Sequence, residues 1–302
     1  MSRNFLIGID LGGTKISAAA FDLDGNRLGK VARVPTMAQL RPAVTLTNLK
    51  RVVKQAKAEA GVEGAPAVVG MGSSGPLDTK GRVLQDRDSL PHLFGFAIGR
   101  FCKKEFGADL HLENDAACFA LGEAARGAGR GHEIVLGVTL GTGFGCGITI
   151  RGRLYSGATN NAGEVAYCRV GDSDFDHACS GSGVVREYRR RVEAEASEGI
   201  TAKDVGDLAG QGARAAIEAW QAFGRDVGTA IGTLCGVIDP SVVVIGGSVS
   251  RRLDLFEREL TDSARALLLG GARDAFNVKR AQLGGAAGLT GAAELARQRL
   301  RR

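Results

Sequence analysis

Two acids, Asp10 and Asp115, stand where extended apolar sequence gives way to groups that could hold a reacting partner. Asp10 opens Asp10-Leu11-Gly12-Gly13-Thr14-Lys15, and a second stretch, Gly137 to Gly143, reads Gly-Val-Thr-Leu-Gly-Thr-Gly with the same grammar. In both, an apolar β-rich run ends at glycines whose missing side chains let backbone N–H groups approach an anion. Ordinary glycine hairpins would explain either loop alone. Their likeness to each other, with Asp10, Thr14, Lys15 and Thr142 as polar companions, points instead to a cleft that grips a phosphate chain from two sides.

Each loop leads into a further extended run, Ile16 to Phe21 or Ile148 to Ile150, closed by Asp24-Gly25-Asn26 or Arg151-Gly152. Each unit is therefore a hairpin and not a strand-to-helix turn. The dinucleotide fingerprint and the Walker loop both need a helix after their glycines, and neither spacing occurs.

The elements that must position these loops alternate between extended and helical signals. Strands are expected at Leu6–Ile9, Ile16–Phe21, Ala67–Met71, Leu110–Glu113 and Val242–Ile245, the last stopping at Gly246-Gly247-Ser248. Helices are expected at Leu49–Ala60, Ala116–Arg126, Leu289–Leu300 and along Ile217, Trp220, Phe223, Val227, Ile231, Leu234 and Ile238, spaced by threes and fours and ended by Pro240. The loop from Gly72 to Asp78 follows a strand's C-terminal end, where open α/β sheets place ligands. Asp86 to Phe96 reads as an irregular lip over it. Asn114-Asp115 falls at a strand-to-helix junction, where Asp115 could equally serve as an N-cap.

A chain of 302 residues with 44% hydrophobic and 24% charged residues reads as a soluble globular protein of two domains. Its start holds neither a secretory signal nor a membrane span. Six cysteines scattered without a repeating spacing suit a reduced cytoplasm. The net charge of +6 does not indicate a nucleic-acid partner, since Arg297, Arg299, Arg301 and Arg302 supply four of those charges at the extreme C-terminus. Arg186 and Arg189 to Arg191 read as a solvated helix face.

Six elements in register resemble the ROK family of sugar kinases, within the actin-like and hexokinase-like superfamily. They are Asp10 to Lys15, Gly75-Pro76-Leu77-Asp78, Glu113-Asn114-Asp115-Ala116, Leu140-Gly141-Thr142-Gly143, Gly163-Glu164 and Val244-Ile245-Gly246-Gly247. The resemblance implies a two-domain α/β fold of the actin-like (ribonuclease H-like) ATPase type with a cleft between the domains. Residues 1–117, joined by the C-terminal helix 289–302, would form one domain and residues 118–288 the other. It further implies ATP-dependent phosphorylation of a hexose or N-acetylhexosamine hydroxyl, with Asp115 as general base. Gly75, Asn114, Asp115, Glu164, Tyr167 and Glu187 would contact sugar. Asp10, Gly12, Gly13, Thr14, Lys15, Gly141, Thr142, Gly143, Gly246 and Gly247 would hold ATP, and Asp10 would orient Mg2+. Glu187 has another reading, as an exposed i,i+4 partner of Arg191.

Many family members hold structural zinc through a His after Gly-Glu and three cysteines of a Cys-x-Cys-Gly-x-x-Gly-Cys-x-Glu motif. Aligned on Gly181 and Glu187, those positions carry Tyr167, Ala178, Ser180 and Val185, so no structural zinc is expected. Cys168, His177 and Cys179 lie near in sequence but out of place. Family repressors carry a DNA-binding segment ahead of the first glycine loop, whereas seven residues precede Gly8 here; neither a nucleic-acid nor a membrane partner is expected, and a homodimer is. A silent sugar-binding or sensor protein of the same fold is the alternative.

Overall fold

The computed structural model describes residues 4–75, 77–78, 84, 89–193 and 198–300. Pro76 of the Gly75 to Asp78 element and Asp86 to Asp88 of the lip lie outside them.

The first sheet runs β3-β2-β1-β4-β5, from β1 (Phe5–Leu11), β2 (Lys15–Asp22), β3 (Arg27–Pro35), β4 (Val68–Ser73) and β5 (Leu110–Asn114). β1, β2 and β3 form an antiparallel meander, while β4 and β5 run parallel to β1. Helices α1 (Pro42–Glu59) and α2 (Ile98–Phe106) supply Leu49, Val52, Val53 and Cys102 to its core. β3 is absent from the sequence expectations, and α1 begins seven residues earlier than expected. β3 is an edge strand whose charged residues are mostly exposed, so its pattern carries little apolar signal. α1 starts at a proline, whose fixed φ suits the first helical turn.

α3 (Asp115–Arg126) then leads to a second sheet that repeats the first, in the order β12-β11-β6-β7-β8. Its strands are β6 (Ile134–Leu140), β7 (Phe144–Ile150), β8 (Arg153–Leu154), β11 (Val242–Gly246) and β12 (Val278–Arg280). β6 and β7 form the second hairpin, and β11 and β12 run parallel to β6. Between β8 and β11 lie the short pair β9 (Arg169–Val170) and β10 (Ser173–Asp174), then α4 (Phe175–Ala178), α5 (Gly181–Arg189), α6 (Ala202–Gly210) and α7 (Arg214–Ile238). α7 buries Trp220, Phe223, Val227 and Ile231 and ends on Asp239 in the left-handed region; Ile217, expected on its apolar face, is 36% exposed. α8 (Glu257–Leu267) and α9 (Gly270–Ala275) precede β12, and α10 (Ala287–Leu300) closes the chain.

The two halves are crossed. α3 follows the first sheet yet lays Phe119 against Val135, Val242 and Val244 of the second. α10 follows the second sheet yet packs Leu289, Ala293 and Ala296 on Leu6, Ala19, Phe21 and Val68 of the first. Where the helices touch, Glu123 of α3 is fully buried and accepts the backbone N–H groups of Ala128 (2.8 Å), Gln282 (3.1 Å) and Leu283 (2.8 Å). Three donors satisfy a carboxylate that has left water.

Candidate active site

The glycine loops lie at matching corners of the two sheets. In the first, the Gly12 N–H donates to Lys15 O at 3.1 Å, while the buried Thr36 beyond β3 donates its hydroxyl to Gly12 O at 2.5 Å and its N–H to Thr14 O at 2.9 Å. Thr36 is thus a brace that the sequence did not reveal. In the second, Gly141 N–H donates to Gly143 O at 3.1 Å and Gly181 N–H to Gly141 O at 2.9 Å, fixing the turn against the start of α5. Gly247 has φ +87° and lies against the Leu140 carbonyl, so no larger residue fits this third turn.

Asp115 begins α3, but the cap is Asn114, whose Oδ1 accepts the N–H groups of Ala116 (2.7 Å) and Ala117 (3.2 Å). The Asn114 Nδ2 donates across the cleft to Glu164 Oε1 at 2.8 Å and to Gly75 O at 3.4 Å. Burial, and secondarily the Asp115 charge, raises the Glu164 carboxyl. These residues, with Gly141, Thr142, Gly143 and Gly247, line a cleft of about 520 Å³. The cleft meets a larger cavity of about 740 Å³ at Gly141 and Thr142; that cavity is walled by Val185, Ala202 and Val249 and by Arg186, Arg189 and Arg190. Behind the cleft, the Glu113 carboxylate accepts the Ser156 hydroxyl at 2.9 Å, a second bond between halves.

Asp176 of α4 also lines the cleft and accepts the Phe144 N–H at 2.8 Å through Oδ1. No sequence signal marks it, because a short polar run without motif spacing hides an acid that folding alone brings to the second loop.

Other expected residues stand elsewhere. Asp10, Gly12, Gly13, Thr14 and Lys15 line neither cavity; Gly13 lies against Ser89, and Gly246 lies beneath the Phe119 ring. Tyr167 is 80% exposed and off the cleft. Glu187 is 5% exposed and lines neither cavity, since its carboxylate is taken by Arg190 (2.8 Å), Arg191 (2.9 Å) and Arg186 (3.4 Å). The i,i+4 partner is therefore present but buried, and the arginine run is not a plain solvated face. Around the displaced zinc motif, Cys168 is exposed, Cys179 is buried and His177 Nδ1 bonds Asp174 at 2.7 Å. Tyr167, Ala178, Ser180 and Val185 do not fit zinc.

Asp10 is the penultimate residue of β1, opposite Ser17 and Gly72. Burial and then the Asp115 charge push its pKa up to about 6, against the opposing pull of Lys15 and Arg33. Folding therefore favours the protonated acid: this stability is complete below the ordinary value of 3.8 and is lost as pH rises through 6. The metal-free protein should lose on the order of 2–3 kcal/mol between about pH 4 and pH 7 relative to Asp10→Asn, read as a fall of the parent's unfolding midpoint relative to that of the variant. A difference constant across that window would refute the ionisation assigned to Asp10.

The ROK family profile matches residues 6–299. The chain belongs to the ROK family. It is 30% identical to a glucokinase of Streptomyces coelicolor over 97% of each chain, and 31% identical to an N-acetyl-D-glucosamine kinase of Photobacterium profundum over 95% of this chain and 98% of that one. Among solved structures, it is similar to a ROK family glucokinase from Streptomyces griseus in complex with glucose and AMPPNP, with a TM-score of 0.80 and 31% identity over 97% of this chain and 99% of that chain. It is likewise similar to a ROK hexokinase from Thermus thermophilus, with a TM-score of 0.85 and 29% identity over 98% and 99%. Its doubled sheet is the actin-like ATPase fold. Among the described residues, no helix is long and apolar enough to cross a membrane.

Proposed function

We propose that this ROK sugar kinase transfers the terminal phosphoryl group of ATP to a hydroxyl of a hexose or N-acetylhexosamine, with Asp115 as general base. The observation that carries the reading is the convergence of Asn114, Asp115 and Glu164 in a cleft that meets a larger cavity at Gly141 and Thr142. Residues 1–117 with α10 form one half and 118–288 the other. Sugar sits in the smaller cleft, oriented by Asn114, by Glu164 and, in the place first given to Glu187, by Asp176. Asp115 accepts the proton of the attacking hydroxyl. The N–H groups and hydroxyl of Gly141, Thr142 and Gly143 receive the phosphates, and Val185, Ala202 and Val249 receive the base. Asp10 suits Mg2+, because a buried carboxylate oxygen is the ligand a small hard cation takes beside substrate phosphates. When bound, the ion offsets charge on the phosphoryl oxygens. We assign the enzyme to the cytoplasm, where its six free thiols stay reduced, and to a homodimer.

A coupled assay with ATP and Mg2+ across glucose, mannose, fructose, N-acetylglucosamine and N-acetylmannosamine should show turnover with at least one. No turnover with any would overturn the reading. Glu187→Gln should leave the sugar KM unchanged while lowering stability by about 2 kcal/mol, because partly buried guanidiniums lose their carboxylate. A several-fold rise in KM at unchanged stability would restore Glu187 to the sugar site.

A further inference from the structure

A cavity of about 630 Å³ lies away from the cleft, where the turns of the two sheets meet the crossed helices. One wall is Asp24 of the β2–β3 turn, another the Arg151–Gly152–Arg153 turn between β7 and β8, and the floor is Arg126 of α3 with Glu294 and Arg297 of α10. Four arginines and two acids thus line one cavity.

The carboxylates do not exhaust these cations. Glu294 is nearly buried and takes the Nε and one terminal N of Arg297, each at 2.6 Å. Arg126 donates to Asn26 Oδ1 at 3.1 Å and to Asp24 O, leaving part of a five-donor guanidinium. Arg151 pairs with Glu133 at 2.8 Å, but both side chains are well exposed, so the pair is worth little and opens readily. Arg153 makes no ion pair among the described residues. The arginine forks point to an anion with several oxygens in one compact group, which planar guanidiniums bind in bidentate fashion.

We propose that this cavity binds a phosphate group, carried by a phosphomonoester or by inorganic phosphate, and that the bound anion clamps the β7–β8 turn of the second sheet to α3 and α10. The Gln298 Nε2 already donates to Gly152 O at 2.8 Å, so turn and helix are in register for such a bridge. The proposal stands apart from the kinase reading, because none of these residues touches the cleft.

The test is isothermal titration of the full-length protein with inorganic phosphate and, separately, with glucose 6-phosphate. Each is run with excess non-hydrolysable ATP analogue to fill the catalytic phosphate loops. Binding of either ligand should be seen, and the Arg151→Gln, Arg153→Gln double variant should weaken it about tenfold or more. Both side chains are exposed, so the variant should fold, and its ATP-dependent turnover without added phosphate should equal that of the parent. Binding of inorganic phosphate as tight as that of the ester identifies the free anion as the ligand; tighter ester binding that the double variant loses identifies the monoester. No binding at millimolar ligand, or equal binding by the double variant, would overturn the proposal. Absence of turnover in the parent with phosphate binding intact would contradict the kinase reading and leave the anion site standing.

Discussion

Asp115→Asn is expected to lower turnover by roughly two to four orders of magnitude while leaving the fold and sugar affinity near those of the parent. The structure separates the two roles open to an acid at this junction. Asn114 caps α3 through Ala116 and Ala117, and the Ala116 N–H that Asp115 Oδ1 also accepts at 2.7 Å can be taken by an amide oxygen at position 115, so the variant keeps the cap. The amide keeps size and shape, but it cannot accept a proton from an attacking hydroxyl. Turnover and sugar binding measured on one preparation check this, since a structural role would move both. Turnover within a few-fold of the parent would mean that another group takes the proton.

Gly291→Ala should destabilise the protein and lower its activity. Gly291 of α10 lies directly on α3, and a methyl group there would overlap the Cys118 carbonyl and crowd the Gly122 amide. Backbone atoms cannot rotate aside as a side chain can, so the helices must separate. Overpacking of this kind costs about 1–3 kcal/mol, which in a chain of 302 residues lowers the unfolding midpoint by roughly 2–5 °C. Because α3 carries Asp115 at its first position, turnover should fall as well. Thermal unfolding beside the assay decides it; an unchanged midpoint would show that the crossing is looser than drawn.

The glycine hairpins, the Asn114-Asp115 junction and the apolar strands were legible because each rests on local rules: glycine at a turn, alternation in a strand, a break where a helix begins. β3 was not legible, since an exposed edge strand has no apolar face to announce it. The place of Asp176 on the cleft and of Glu187 among arginines went unread for one reason. Whether a carboxylate meets a cleft or a cluster of arginines depends on which way its helix turns after folding, and the spacing of Glu187 from Arg191 suits a buried pair as well as an exposed one. Thr36 escaped notice because its bonds to Gly12 and Thr14 span a whole strand hairpin.

The crossed helices also govern the order in which a growing chain can become stable. The apolar face of β1, β2 and β4, with Leu6, Phe21 and Val68, is completed only by Leu289, Ala293 and Ala296 near the end of the sequence. Translation delivers the first sheet well before its cover, so that face stays open to solvent or to a chaperone until α10 has been made. The second sheet receives α3 from upstream and can mature first. The amino-terminal sheet, although made first, therefore cannot reach its final packing before α10 is made.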